Sequence, residues 1–245
     1  MKARLFALSA VSVIVLVGSA LPALADGAEA AKSHWSGSVS LTSDYRFRGV
    51  SQTDRNPAVQ GEFQYNGSQG IYAGIWASNV DFVGASSEVD LFVGYNYSLD
   101  DDLQIGAEFI YYNYPSADSS EFNYFEVIGS ASYQIEDIGL SLEVAYGPDV
   151  SGTKALAVTG GVEAKVIDSV YLFSDGISMS GHFGHQSYDA VNVDYNFYDV
   201  GMTASAGAFA LDVRYVSTDV DNVDCGGTDR CEGGVVVTGS LSFGD

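Results

Sequence analysis

The sequence predicts an all-β chain, an antiparallel transmembrane β-barrel of about twelve strands, and three observations carry that prediction. Alternation with a period of two recurs along most of the chain, in runs of about ten to fourteen residues separated by polar breaks. Strands in soluble sheets usually stop after about five or six residues, whereas these runs are long enough to cross a bilayer at a tilt. Composition agrees: glycine is abundant (28), aromatics make up 13% and proline is scarce (4). Helical periodicity is missing, and beyond the leader no segment approaches the roughly eighteen apolar residues of a spanning helix.

Residues 1–25 read as a secretory leader. Lys2 and Arg4 precede an apolar core from Leu5 to Val17, and the small-x-small triplet Ala23, Leu24, Ala25 places cleavage after Ala25. The core is too short for a retained spanning helix, and no Cys follows the cleavage point to make a lipoprotein. Residues 26–34 form a short lead, and 35–245 form the barrel.

The first strand is expected at 35–48. Trp35, Gly37, Val39, Leu41, Ser43, Tyr45 and Phe47 alternate with Ser36, Ser38, Ser40, Thr42, Asp44, Arg46 and Arg48, giving one greasy and one polar face. The run 57–66 turns Val59, Gly61, Phe63 and Tyr65 outward and Gln60, Glu62 and Gln64 inward. At 70–80 the lipid face stays open, because Ile71, Ala73, Ile75 and Ala77 compete with Tyr72 and Trp76. The run 87–98 sets Val89, Leu91, Val93, Tyr95 and Tyr97 against Glu88, Asp90 and Asn96, and 102–113 sets Leu103, Ile105, Ala107, Phe109 and Tyr111 against Gln104 and Glu108. Strands follow at 122–135, with Glu126 inward, and at 138–147, with Glu143 inward.

In the second half, 154–166 carries Val158, Val162 and Val166 outward and Glu163 and Lys165 inward. A long strand at 169–186 has a bulge expected at Asp175 and Gly176. Strands at 196–206, 208–218 and 233–243 complete the set. Breaks alternate between short (66–70, 99–102, 135–138, 167–169, 205–208) and longer (49–56, 81–86, 114–121, 148–153, 187–195, 218–233), as periplasmic turns and outer loops do. An even strand count puts both termini in the periplasm. Phe243, in the last strand, reads either as an ordinary strand aromatic or as part of an assembly signal for the barrel-assembly machinery, with two residues following it.

A soluble sandwich would also alternate, but here the polar face carries acids in mid-strand, as a wet lumen does. In lipid every backbone amide must be paired, and for a sheet only closure achieves that.

A resemblance sharpens this reading. The run Ser43, Asp44, Tyr45, Arg46, Phe47, Arg48, Gly49, Val50, Ser51, Gln52, then Pro57, Ala58, Val59, Gln60, Gly61, then Gly70, Tyr72, Gly74, Trp76, Ser78, Asn79, Val80, Asp81, resembles the opening signature of the TorF-type porins, a proteobacterial outer-membrane family. The similarity is dense over 35–98 and fades to a general strand rhythm beyond. It implies an outer-membrane barrel and a pore, and it carries over no substrate.

Charge bounds the partners. Acids outnumber Lys and Arg by 32 to 10, a formal net charge of −22, and removing the leader deepens it. This excludes a nucleic-acid partner and favours small cations or a lipopolysaccharide surface bridged by divalent ions. The expected lumen set holds Asp44, Glu62, Glu88, Asp90, Glu108, Glu126, Glu143, Glu163, Asp199 and Asp212 against Arg46, Arg48, Lys165 and Arg214. Carboxylate walls favour cations in a pore. The expectation is therefore a weakly cation-selective diffusion channel for small hydrophilic solutes, a monomer in which Arg46 and Arg48 shape the constriction. The alternative is a non-conducting structural or adhesive barrel whose acidic outer loops bind divalent ions.

Catalysis finds little support. His182 and His185 lie three apart on a strand and so face opposite ways. Ser178, Ser180 and His182 share the lumen face, whereas an outer-membrane lipase would aim its nucleophile at lipid. There is no phosphate loop and no metal-spaced cysteine set, so no cofactor is expected. Cys225 and Cys231, in the segment CGGTDRC, are expected to form a disulfide that stiffens the longest outer loop, with a zinc half-site as the lesser reading. Asp219, Asp221, Asp224 and Asp229 in that loop lack the ordered spacing of a calcium loop.

Overall fold

The computed structural model describes residues 34–82, 84–117, 119–189 and 194–244; the expected leader (1–25) and nearly all of the lead lie outside the described residues. Twelve antiparallel strands close on themselves: β1 (Trp35–Thr42), β4 (Ala58–Asn66), β5 (Ile71–Phe82), β6 (Ala85–Ser98), β7 (Leu103–Asn113), β8 (Tyr124–Ile135), β9 (Ile138–Val150), β10 (Thr153–Ile167), β11 (Gly176–Tyr188), β12 (Tyr195–Ala206), β13 (Phe209–Thr218) and β14 (Gly234–Phe243). Each pairs with its sequence neighbours, and β1 closes the ring by pairing with β14, Gly37 opposite Phe243 and Thr42 opposite Thr238. Two further strands, β2 (Arg46–Phe47) and β3 (Val50–Ser51), pair only with each other.

The alternation sorts side chains as the sequence predicts. Val39, Leu41, Leu91, Leu142, Val200 and Leu241 are exposed on the outer surface, and exposed apolar residues recur on every spanning strand. No water-facing surface tolerates an apolar band that encircles the molecule, so the band faces lipid. At the end where β1 begins and β14 ends, here the turn end, Trp35 stacks on Phe63 at 5.0 Å and meets Tyr65 edge-on at 4.8 Å, while Phe243 lies 6.5 Å from Phe63. Such a cluster suits the membrane interface. The ambiguous strand resolves with Ile71 and Ile75 outward and Trp76 buried in the lumen.

Four boundaries are corrected. The strand expected at 35–48 stops at Thr42: Ser43 exchanges hydrogen bonds with Val237 and the chain then leaves the wall, so Tyr45 and Phe47 are buried at 4% and 1% exposure and do not face lipid. Residues 169–175 are a turn before β11, joined by a bridge between Val170 and Phe173, and no strand begins there. Two connections expected to be long are tight, because β9 runs to Val150 and β6 begins at Ala85; Ser151 and Gly152 alone join β9 to β10, both at positive φ.

Candidate functional site

The lumen is organised by the segment that leaves β1. Strands β2 and β3 form a hairpin with a two-residue turn, Arg48 and Gly49, at φ +40° and +86°. Both central residues are left-handed, as a type I′ turn requires. Gly49 is needed on a second ground: its Cα lies against Thr218 and the Ser217 carbonyl, where a β-carbon would stand 2.9 Å from that oxygen. Arg48 holds its left-handed backbone without glycine's freedom, a cost that a folded protein retains where surrounding contacts fix the conformation.

Those contacts reach across the barrel. Arg48 Nη1 and Nη2 donate to the two oxygens of Glu126 on β8, at 3.0 and 2.9 Å, and Nη1 also donates to Gln186 Oε1 on β11 at 2.8 Å. Tyr112 Oη donates to Glu126 Oε2 at 3.1 Å, so the carboxylate is fully engaged at 0% exposure. Arg48 lies off the spanning strands; burial alone would lower its basicity, but the Glu126 carboxylate outweighs this and holds the guanidinium above its ordinary value. Its guanidinium also sits 4.6 Å from the Phe47 ring centre.

The base of the hairpin is tied by Asp44, which accepts Arg46 Nε at 2.6 Å, Ser51 Oγ at 2.6 Å and Thr53 Oγ1 at 3.3 Å. Tyr45 packs on Trp76 of β5 at 5.3 Å. Tyr45, Phe47, Trp76, Tyr112, Tyr124, Tyr195 and Phe197 belong to one buried cluster with the hairpin inside it. This closes the lumen toward the end opposite Trp35 and Phe243, the loop end.

Below the hairpin lies a cavity of about 700 Å³ that reaches the turn end at Asp175 and Gly207. Serine and threonine hydroxyls from β1, β11, β12 and β14 line it, together with Glu143 and Glu163. On one wall Arg214 bonds Asp212 (Nε to Oδ1, 2.8 Å), pairs closely with Asp199 and donates to Ser180 Oγ at 3.2 Å, while His182 Nδ1 lies 2.9 Å from Asp199 Oδ1.

Of the fourteen expected lumen residues, Asp44, Arg46, Arg48, Glu143, Glu163, Asp199, Asp212 and Arg214 line this cavity. Glu88, Asp90 and Glu126 are sealed in the cluster at the loop end. Glu108 accepts the Tyr72 hydroxyl at 2.9 Å, and Glu62 shares the inward side of β4 with Gln60 and Gln64, both partly buried. Lys165 is exposed near the end of β10. His182 and His185 do part: His182 joins Asp199, and His185 is exposed and bonds Asn196. Gln186 and Tyr112, which share the central latch, were not in the expected set, although their strand positions follow the same period of two. Among the described residues no group of three His, Cys, Asp or Glu is placed to hold a metal ion.

The disulfide between Cys225 and Cys231 is formed. Its loop grips the hairpin from above: Ser51 N–H donates to the Arg230 carbonyl at 2.9 Å, Arg46 Nη1 to the Glu232 carbonyl at 2.7 Å, and Arg230 Nε to Asp54 at 2.9 Å.

A closed twelve-stranded barrel with an apolar girdle and a charged lumen defines a transmembrane barrel of porin-like architecture. The chain belongs to the family described as "Bacterial protein of unknown function (Gcw_chp)", whose model matches residues 27–240. No curated protein matches the sequence. Among solved structures, the KdgM porin superposes with a TM-score of 0.57 at 8% identity, covering 86% of this chain and 99% of that one. The NanC porin gives 0.56 at 13% identity, covering 84% and 98%. The KdgM porin in complex with disordered oligogalacturonate gives 0.58 at 8%, covering 86% and 99%. At these identities the likeness is one of fold.

Proposed function

We propose that the protein is an outer-membrane porin, a passive diffusion channel for small hydrophilic solutes, in which the hairpin around Arg48 and Gly49 forms the constriction. The observation that carries this reading is the hydroxyl-lined cavity of about 700 Å³ inside a barrel whose outer face is apolar. Twelve strands lie between the eight that side chains fill and the sixteen or so that leave an open channel, so an inward segment sets the bore. Passage requires the hairpin to move off the β8 wall.

Weak cation selectivity follows from the pairing. Arg46, Arg48 and Arg214 are engaged with Asp44, Glu126, Asp199 and Asp212, while none of the ion pairs among the described residues involves Glu62, Glu108, Glu143 or Glu163. The remaining carboxylates attract cations. In this reading residues 1–25 direct export, the turn end is periplasmic, the barrel-assembly machinery inserts a monomer, lipopolysaccharide surrounds the loop end, and the TorF-type resemblance over 35–98 reflects shared descent.

The buried cluster favours a second reading, a non-conducting structural barrel. Single-channel recording of the refolded barrel in a planar bilayer separates them. Discrete openings, with a reversal potential toward the cation value under a salt gradient, support the channel. Silence from a folded wild-type barrel and equally from Arg48→Ala sinks it.

A further inference from the structure

Glu88 and Asp90 stand two residues apart on the lumen face of β6, sealed at 0% and 1% exposure. The Tyr114 hydroxyl donates to Glu88 Oε1 at 2.9 Å. Glu88 Oε2 and both oxygens of Asp90 make no hydrogen bond of full geometry among the described residues; the Tyr45 hydroxyl approaches Glu88 and the Asn113 N–H approaches Asp90, but neither closes well. Their surroundings are aromatic: Trp76 and Tyr112 are the cross-strand neighbours of Asp90 on either side. A third, independent group comes from a different element. The Tyr45 hydroxyl, carried by the inward-folded segment, is buried against Glu88 without a hydrogen bond of full geometry.

The contrast with Glu126 is direct. The hairpin brings its own cation, Arg48, to the acid on β8, but none of the ion pairs among the described residues reaches the two acids on β6. Carboxylates in a dry enclosure require a counter-charge or a proton. We propose that Glu88, Asp90 and the Tyr45 hydroxyl form a binding site for one hard divalent cation of the calcium class, seated at the seam between the hairpin and the barrel wall.

The donor set chooses the ion. All the donors are oxygens, with no thiolate or imidazole, which selects against soft and borderline metals. Two carboxylates match a divalent charge. Calcium accepts irregular sets of carboxylate, neutral and water oxygens at flexible angles and distances, whereas magnesium demands a near-ideal octahedron that two carboxylates and a phenol at an irregular seam do not offer. A bound ion would tie Tyr45 to β6 as Arg48 ties the hairpin tip to β8. The site is separate from the acidic residues of the outer loops, which lie in solvent.

Terbium luminescence tests this, because Trp76 and the tyrosines around the site are the sensitisers. The refolded barrel, stripped with chelator, is titrated with Tb³⁺ under aromatic excitation, and the bound ion is then displaced with Ca²⁺ or Mg²⁺. The expected result is emission that saturates at one equivalent and is displaced by Ca²⁺ at least about tenfold more effectively than by Mg²⁺. Glu88→Gln with Asp90→Asn should abolish it, and Asp221→Asn with Asp224→Asn in the outer loop should leave it intact. Heat-modifiable migration checks folding, and Asp90→Asn alone serves if the double variant does not fold. Emission that survives the Glu88→Gln, Asp90→Asn substitutions, whether or not it is lost with the loop acids, overturns the proposal. So does a folded wild type that binds no ion, which would mean that protons neutralise the pair.

Discussion

Arg48 grips Glu126 with two parallel N–H···O bonds, at 3.0 and 2.9 Å, from a hairpin rooted on the far side of the barrel. Both groups are buried, so removing one strands the other. Arg48→Ala or Glu126→Ala should each cost about 3–5 kcal/mol in denaturant unfolding, whereas replacing both with apolar residues of similar size should cost far less. The same single variants should raise the frequency of channel opening, since the hairpin tip loses its anchor. Additive losses in the double variant would show that the pair is not coupled.

The disulfide loop bears on the same hairpin. Because the Cys225–Cys231 bridge holds the segment that accepts from Ser51 and Arg46 and donates to Asp54, reduction should loosen the hairpin as well as the loop. Closing so short a loop is worth about 2 kcal/mol on the chain-entropy view. Cys225→Ser with Cys231→Ser should therefore lower the unfolding midpoint and speed hydrogen exchange at the Ser51 amide. Unchanged exchange there would mean that the loop does not clamp the hairpin.

The barrel wall was legible in the sequence, and its lumen only partly. Period-two alternation survives because each residue faces either lipid or polar interior, and Val39, Leu91 and Leu142 are found where the alternation puts them. The hairpin was hidden by the same signal: Tyr45 and Phe47 continue the phase of Val39 and Leu41, and an aromatic suits a dry plug as well as it suits lipid. Its turn, Arg48–Gly49, lacks the Asn-Gly or Asp-Gly pair that usually marks a two-residue hairpin. The acids Glu88, Asp90 and Glu126 alternate with apolar neighbours on their strands, but nothing in that pattern tells that the folded hairpin buries them.

The two faces of β6 should respond differently to charge. Leu91 lies on the lipid side near the middle of the strand, so Leu91→Arg should destabilise the barrel by about 2–4 kcal/mol in bilayers. Ser40→Arg, on the cavity side of β1, should fold with little loss. Unfolding in lipid vesicles measures both, and equal penalties would contradict the assignment of faces.

Selectivity gives the last expectation. Arg214 is paired with Asp212 and Asp199 on the cavity wall, so Arg214→Met exposes two carboxylates to the passing solute. The reversal potential should move further toward the cation value, and Asp212→Asn should move it the other way, because each change alters the wall by one charge. Reading both in the hairpin-released Arg48→Ala background keeps the plug from masking the effect. At about 1 M salt the screening length falls to about 3 Å, shorter than the distance from wall to axis, so both shifts should shrink. Shifts that persist there would assign selectivity to pore size and hydroxyl contacts, not to the charged wall.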